Sequence, residues 1–377
     1  MIIKSLKLKN YRNYEKLDIE FDNKLNIIIG DNAQGKSNIL ESIYVLAVTK
    51  SYLGVKDKDL IKEDCEFATL ESDVLSHGNM EKLKINLTNN SKKVRINSKE
   101  VKRYIDYISK FRVLLFSPDN ISMIKDSPNV RRKYLNVEIS QMSNEYVRDL
   151  QNYNLILGQR NEFLKICRET GRDNDIYLEV LNKKFVSLAV SIMVSRYKFI
   201  SSINYYIKDI YKELMGVENL NIKYVSSIDI SDNITDMEDK FYEKLKKNYE
   251  KEKIYGVTLI GPHRDDFKFY IGNRDMIGYA SQGQLRAAVL SLKLSEIEIF
   301  KSNTSEYPIL LLDDIFSELD IKKKNRLIQY MIDDVQTIIT TTDLNMIDDS
   351  LVSKAKIFEI SKGEVVNMVE RKVIQNG

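Results

Sequence analysis

Cysteine and histidine are scarce in this chain, with two of each among 377 residues. Cys65 and Cys167 lie far apart and form no CxxC pair, which excludes a disulfide framework and a cysteine-rich zinc site; both are expected to be ordinary thiols. His77 and His263 are too few for a histidine-rich metal centre. No run approaches the roughly 18 consecutive apolar residues needed to span a membrane. The N-terminus, Met1 to Lys9, alternates like a strand and lacks a signal-peptide core, so a cytoplasmic protein with no membrane partner is expected. Internal repeats and low-complexity segments are also missing. Net charge is only +3, so any basic face must be local. Hydrophobic and charged contents of 43% and 30% are those of an ordinary globular protein, with room for about two domains.

What is present centres on Gly30-Asp31-Asn32-Ala33-Gln34-Gly35-Lys36-Ser37. The apolar run Leu25 to Ile29 precedes it, and an amphipathic stretch follows from Asn38. Strand, glycine-bounded loop, Lys-Ser and helix together make a P-loop in its required context. Glycines let backbone N–H groups curl around phosphate, and the helix N-terminus adds partial positive charge. Lys36 is expected to reach the β- and γ-phosphates and Ser37 to ligate magnesium, so the chain is expected to bind a nucleoside triphosphate with Mg2+.

Leu310-Leu311-Leu312-Asp313 reads as a central strand with both faces covered, and its carboxyl end faces the nucleotide crevice. Asp313 is then expected to hold magnesium, directly or through water, and Asp314 sits where a carboxylate orients or deprotonates the attacking water. An aspartate reaches less far than a glutamate, which predicts slow turnover. Ser281-Gln282-Gly283-Gln284 opens a helix whose Leu285, Val289, Leu292, Glu296 and Ile299 share one line. A serine and a glycine at such a terminus make a second anion site.

Between these motifs the pattern changes. Residues 1–116 read as β-rich. Ser127-Pro128 is an N-cap followed by a first helical residue, and from there to about Met215 the chain reads as helical. No glycine or proline interrupts the stretch between Gly171 and Gly216, which suits either one helix of about 60 Å or two with an unmarked break. The α/β pattern returns from Val257. The expected fold is α/β: an ATPase head with a mixed sheet, split as 1–126 and 256–377, carrying a mainly helical insertion at 127–255.

The order of segments resembles the SMC-like ABC ATPases: Asn10-Tyr11-Arg12-Asn13-Tyr14, P-loop, helical insertion, Ser281-Gln282-Gly283-Gln284, then Leu312-Asp313-Asp314. Within them the chain resembles the RecF family. The residues that carry this are Leu115-Phe116-Ser117-Pro118-Asp119, Ser127-Pro128 with Arg131-Arg132-Lys133, Gly261-Pro262-His263-Arg264-Asp265-Asp266, and Ser317-Glu318-Leu319-Asp320. The resemblance implies an ATP-dependent homodimer that sandwiches two ATP molecules. Each would lie between one P-loop and the partner's Ser281, Gln282, Gly283, Gln284 and Asp320, with Arg12 and Asn13 near the nucleotide. It implies a weak, DNA-stimulated ATPase that clamps DNA at single-strand gaps or junctions in recombinational repair. RecO- and RecR-type partners would join it in loading RecA.

Two departures stand out. The strand after Asp313 ends Thr340-Thr341-Thr342-Asp343, with no switch histidine, so γ-phosphate sensing falls to a threonine hydroxyl. No glutamine marks a Q-loop, and the segment ending Phe116-Ser117-Pro118 is the candidate for that place. The alternative reading, an ABC subunit coupled to a transporter, conflicts with both the missing histidine and the large insertion. Candidate DNA-phosphate contacts are Lys92, Lys93 and Arg95, Lys102-Arg103, Arg131, Arg132 and Lys133, and Lys322-Lys323-Lys324 with Arg326. Binding through them would be independent of sequence and would weaken steeply with salt.

Overall fold

A computed structural model describes residues 1–171, 175–216, 219–317, 319–320, 323–325, 327–328 and 335–370; Glu318, Lys322 and Arg326 lie outside them. Strands β1 (Ile2–Tyr11), β2 (Tyr14–Glu20) and β3 (Leu25–Ile29) lead into α1 (Lys36–Val48). Then come β4 (Phe67–Ser76), β5 (Asn79–Thr88), β6 (Lys92–Ile96), β7 (Lys99–Glu100), α2 (Ile105–Ile108) and β8 (Val113–Phe116). Helices α3 (Ser122–Lys125), α4 (Pro128–Met142), α5 (Asn144–Thr170) and α6 (Asp175–Met215) follow. After them lie β9 (Leu220–Val225), α7 (Ile234–Tyr255), β10 (Asp266–Ile271), β11 (Arg274–Asp275) and α8 (Gln282–Thr304). Strands β12 (Ile309–Asp313), β13 (Thr337–Thr341), β14 (Lys356–Ser361) and β15 (Glu364–Glu370) complete the set.

The chain divides into two compact units. The first comprises Met1–Ile121, Glu213–Met215 and Arg286 onward; the second comprises Ser122–Lys212 and Gly216–Leu285. In the first unit β2-β1-β4-β5-β6-β7 form an antiparallel sheet. A bulge between Ile3 and Ser5 shifts the register of β1 against β4. That shift is why Ile3 on one phase and Leu6 and Leu8 on the other are all buried. The other sheet runs β15-β14-β3-β13-β12-β8, parallel except for the β15 edge. It is therefore mixed. Ile27, Ile28, Leu310, Leu311, Ile338 and Ile339 are wholly buried, as expected of strands covered on both faces.

In the second unit, residues 256–285 pack with the insertion rather than with the head to which the sequence pattern assigned them. Strand β10 pairs antiparallel with β9 from Asp266–Val225 to Ile271–Leu220, and this long-range ladder carries the segment with it. Ser127 stands at the N-cap of α4 with Pro128 behind it, but its hydroxyl makes no capping bond. Helix α6 is one unbroken helix of 41 residues. It is long and apolar enough to cross a membrane by length and composition, and half of its most apolar stretch is buried inside the protein. Phe185 of α6 stacks on Tyr153 of α5 at 5.0 Å and meets Phe241 of α7 at 6.0 Å. Beside them Arg160 pairs with Glu252 at 2.6 Å, both fully buried, and also bonds Asn182 and Thr258.

Candidate functional site

The P-loop connects the end of β3 to the start of α1, within the first unit. Gly35 takes φ +109°, and a Cβ there would stand 2.4 Å from the Asn13 side chain. At Gly30 a Cβ would stand 2.3 Å from the Ile360 carbonyl oxygen. Both glycines therefore let neighbouring chain approach where a side chain could not fit. The loop is braced from two sides. Asn13 Nδ2 donates to the Gln34 carbonyl at 3.0 Å, and the Tyr14 hydroxyl donates to the Gly35 carbonyl at 3.0 Å. From the β14–β15 turn, the Lys362 N–H donates to Gln34 Oε1 at 2.6 Å and the Gly363 N–H to the Gln34 carbonyl at 3.2 Å. Among the described residues no side chain caps α1, so the start of the helix can present N–H groups to an anion.

Lys36 is only 7% exposed. Its Nζ donates to the carbonyls of Gly30 at 2.6 Å and Asp31 at 2.7 Å. Burial lowers its pKa, while Asp314, Asp313 and Asp31 act in the opposite direction. The Ser37 hydroxyl donates to Asp313 Oδ1 at 2.9 Å across 276 positions of sequence. Thr340 Oγ1 donates to the same oxygen at 2.7 Å, and the Tyr52 hydroxyl donates to Oδ2 at 3.0 Å. Burial, then the Asp313 carboxylate, pushes the Tyr52 hydroxyl far up, so it remains a donor at ordinary pH. Asp314 follows with φ +48°, a left-handed conformation that aspartate tolerates, and its N–H is held by the Thr340 carbonyl and hydroxyl at 3.2 Å.

Ser37 and Asp313 suit magnesium. Both present hard oxygens, and adjacent ligands on an octahedron with metal–oxygen distances of 2.0–2.1 Å stand about 2.9 Å apart, which matches the separation of 2.9 Å between Ser37 Oγ and Asp313 Oδ1.

The N-terminal motif divides in two. Asn13 touches the P-loop directly, and its Oδ1 also accepts from Asn38 at 2.8 Å. Arg12 instead grips Glu41 with two bonds of 2.8 and 2.7 Å, and gives a third to the Asp59 carbonyl at 3.1 Å. Glu41 lies on the buried side of α1 at 0% exposure, where the Tyr11 and Ser51 hydroxyls also donate to it. Glu41, Tyr52 and the Gln34 brace are absent from the sequence reading. Glu41 carried one signal, an acid among the apolar residues of the P-loop helix; Tyr52 carried none.

In the second unit, Ser281, Gln282 and Gly283 are exposed, and a Cβ at Gly283 would meet nothing closer than 3.9 Å. The helix start is closed by a reciprocal cap: the Gln284 N–H donates to Ser281 Oγ at 3.3 Å, and the Ser281 N–H donates to Gln284 Oε1 at 2.9 Å. Asp320 accepts from the Lys323 N–H at 3.0 Å and pairs with its ammonium.

Several basic residues proposed to meet DNA are already engaged. Arg131 is 3% exposed, holds Asp266 with two bonds of 2.6 and 2.9 Å and donates to the Met123 and Asp126 carbonyls. It is a structural arginine, out of reach of a phosphate backbone. Lys92, whose side chain is 12% exposed, is likewise taken by Asp57 at 2.7 Å and the Thr49 carbonyl at 2.6 Å. Arg132 is half-buried and donates to the Asp265 carbonyl at 2.8 Å. Arg103 pairs with Asp106, Lys323 with Asp320, and Lys324 bonds the Met346 carbonyl. Lys93 and Lys133 are exposed and Arg95 is half-buried.

His263 holds the Gly261–Asp266 loop in place. Its Nε2 donates to the Thr258 carbonyl at 3.0 Å, since a carbonyl only accepts; Nδ1 therefore accepts the Tyr153 hydroxyl at 2.6 Å. Burial, reinforced by nearby arginines, lowers its pKa to about 4.

Residues 2–365 match the family model described as RecF/RecN/SMC N terminal domain. The DNA replication and repair protein RecF of Exiguobacterium sp. is 40% identical over 368 residues, covering 97% of this chain and 99% of its own. The protein of that name from Bacillus subtilis is 38% identical, covering 97% of this chain and 100% of its own. A solved structure of the recombination mediator protein RecF with ATP, in the RecFOR pathway, superposes with a TM-score of 0.91 at 33% identity over 98% of both chains. The Smc head domain of Pyrococcus furiosus shares the fold, with a TM-score of 0.54 at 16% identity.

Proposed function

The chain belongs to the RecF family of SMC-like ATPases, and we propose from that membership that it is an ATP-dependent DNA-binding protein of recombinational repair. Two copies close on two ATP molecules, each held between the P-loop of one and the Ser281–Gln284 segment of the other. The closed dimer clamps DNA at gaps or junctions without reading its sequence. Slow, DNA-stimulated hydrolysis releases it, and RecO- and RecR-type partners act with it in loading RecA. The cytoplasm is its place of work.

One observation carries the nucleotide part of this reading. Ser37 and Asp313 meet at 2.9 Å beside an uncapped, doubly braced P-loop. The leading N–H groups of α1 take the phosphates, and Lys36 exchanges the Gly30 and Asp31 carbonyls for the β- and γ-phosphate oxygens. Magnesium held by Ser37 and Asp313 supplies charge neutralisation at those oxygens when bound. Asp314 orients the attacking water, and its short side chain keeps turnover slow. The exposure of Ser281, Gln282 and Gly283 supports a role in trans, where a partner's nucleotide covers them. Lys93, Arg95, Lys102 and Lys133 remain as candidates for DNA phosphates among the described residues.

The test is binding to a gapped duplex, with and without ATP, while the molecular mass in solution is recorded. Tighter binding accompanied by a monomer-to-dimer shift only with ATP is the expected result. Binding and mass that ignore ATP overturn it.

A further inference from the structure

Three hydroxyls from three separate elements converge on the Asp313 carboxylate. Ser37 at the start of α1 and Thr340 on β13 both reach Oδ1, while Tyr52, in the loop after α1, reaches Oδ2 at 3.0 Å. Left alone, an aspartate turns about its last torsion in a broad, roughly two-fold well. With donors on both oxygens the plane of the carboxylate is fixed, because a half-turn only exchanges two equivalent oxygens. That setting turns one oxygen of Asp313 to Ser37, and these are the pair of residues that would hold a cation.

Tyr52 is itself held. Its ring lies edge-on to Tyr44 of α1, at 5.4 Å between centroids and 81° between planes. The preceding residue, Ser51, is 4% exposed, and its hydroxyl donates to the buried Glu41 at 2.5 Å. Glu41 in turn is gripped by Arg12 and by the Tyr11 hydroxyl. Adjacent residues of one short loop thus connect two carboxylates, one buried within the P-loop helix and one at the end of β12.

We propose that Tyr52 is a positioning residue for the metal site, orienting Asp313 toward the cation, and that Ser51 anchors it to the Glu41–Arg12 pair. The inference rests on the nucleotide-site reading above. Hydroxyls and other groups that bond a metal's ligands typically govern its affinity by 10–100-fold. A tyrosine that merely packs in this loop would leave metal affinity untouched once its ring was preserved.

Tyr52→Phe keeps the ring and its contact with Tyr44 and removes only the hydroxyl. Binding of Mn2+ to the ATP-saturated chain, read by electron paramagnetic resonance, is expected to weaken about ten-fold in this variant. Its affinity for ATP in excess chelator is expected to stay within two-fold of the parent. Equal loss of both affinities, or unchanged Mn2+ affinity, overturns the proposal. Ser51→Ala should weaken Mn2+ binding in the same direction and by less; no change there overturns the anchoring half. If the parent chain itself fails to bind Mn2+ with ATP, the nucleotide-site reading fails instead, and the two failures are told apart.

Discussion

Helices α1 and α8 both begin with a glycine and a serine close together, yet their termini are finished in opposite ways. At α1, among the described residues, no side chain caps the helix, and the surrounding loop is braced: Asn13 and Tyr14 hold one flank, Lys362 and Gly363 the other. At α8 the terminus is exposed and closes on itself through Ser281 and Gln284. An open terminus is stable where the fold around it holds its shape without the cap. An exposed terminus without a cap would fray, since a capping side chain contributes about 0.5–2 kcal/mol. The consequence is an order of events. On the function proposed above, the first site would take a phosphate as it stands, whereas the second would have to surrender its own cap first and so would add affinity only once a ligand is already held.

The largest effect should come from breaking the open terminus. Lys36→Ala removes a buried cation from the triphosphate, and losing one partner of such a pair costs about 2–5 kcal/mol, so nucleotide affinity by calorimetry should fall roughly thirty-fold or more. ATP-dependent dimerisation should vanish with it. Next comes the exposed terminus. Ser281→Arg should leave ATP affinity within two-fold of the parent yet abolish the ATP-dependent mass shift, because it blocks the conditional site alone. If the variant still dimerises with ATP, the two termini do not act on one ligand.

A pH series separates the units that carry the two termini. His263, in the second unit, is neutral with its pKa lowered to about 4 by burial. The unfolded chain, with histidine near 6.5, binds this proton first as pH falls. Stability contributed by the neutral imidazole is therefore full above about pH 6.5 and declines toward pH 4, by about 3 kcal/mol in all. Denaturant unfolding at pH 7 and pH 5 should show the second unit weakened, and His263→Gln should flatten that pH dependence. The smallest effect sharpens the comparison: Gln284→Ala removes half of the reciprocal cap and should cost about 1 kcal/mol in thermal unfolding, with ATP affinity of the isolated chain unchanged.

The P-loop and Asp313 were legible because each motif is local: a strand, a turn and a helix start, or an apolar run ending in acid. The fold class followed from the same patterns. What stayed illegible depends on partners distant in the chain. Arg131 looked like one of three cations in a row, but Asp266, 135 residues on, claims it. The boundary near residue 256 was misplaced because only the β9–β10 ladder reveals where Asp266 to Ile271 belongs. Tyr52 sits in a loop with no periodicity, and its meaning comes from Asp313, 261 residues away. Helix α6 offered no break to read, and in the structure it has none.

The brace on Gln34 has a temporal side. The P-loop is encoded within the first 37 residues, but β14 beside β3, and the Lys362–Gly363 turn that grips Gln34, belong to the last strands of the first unit. At about 5–20 residues per second, a ribosome needs roughly a quarter of a minute to a minute to travel from one to the other. Throughout that interval the nascent chain carries a phosphate loop with only one of its two supports. The second support of the loop can therefore form only after β14 has been made, and on the function proposed above a chain truncated before β14 is expected to compete poorly for ATP.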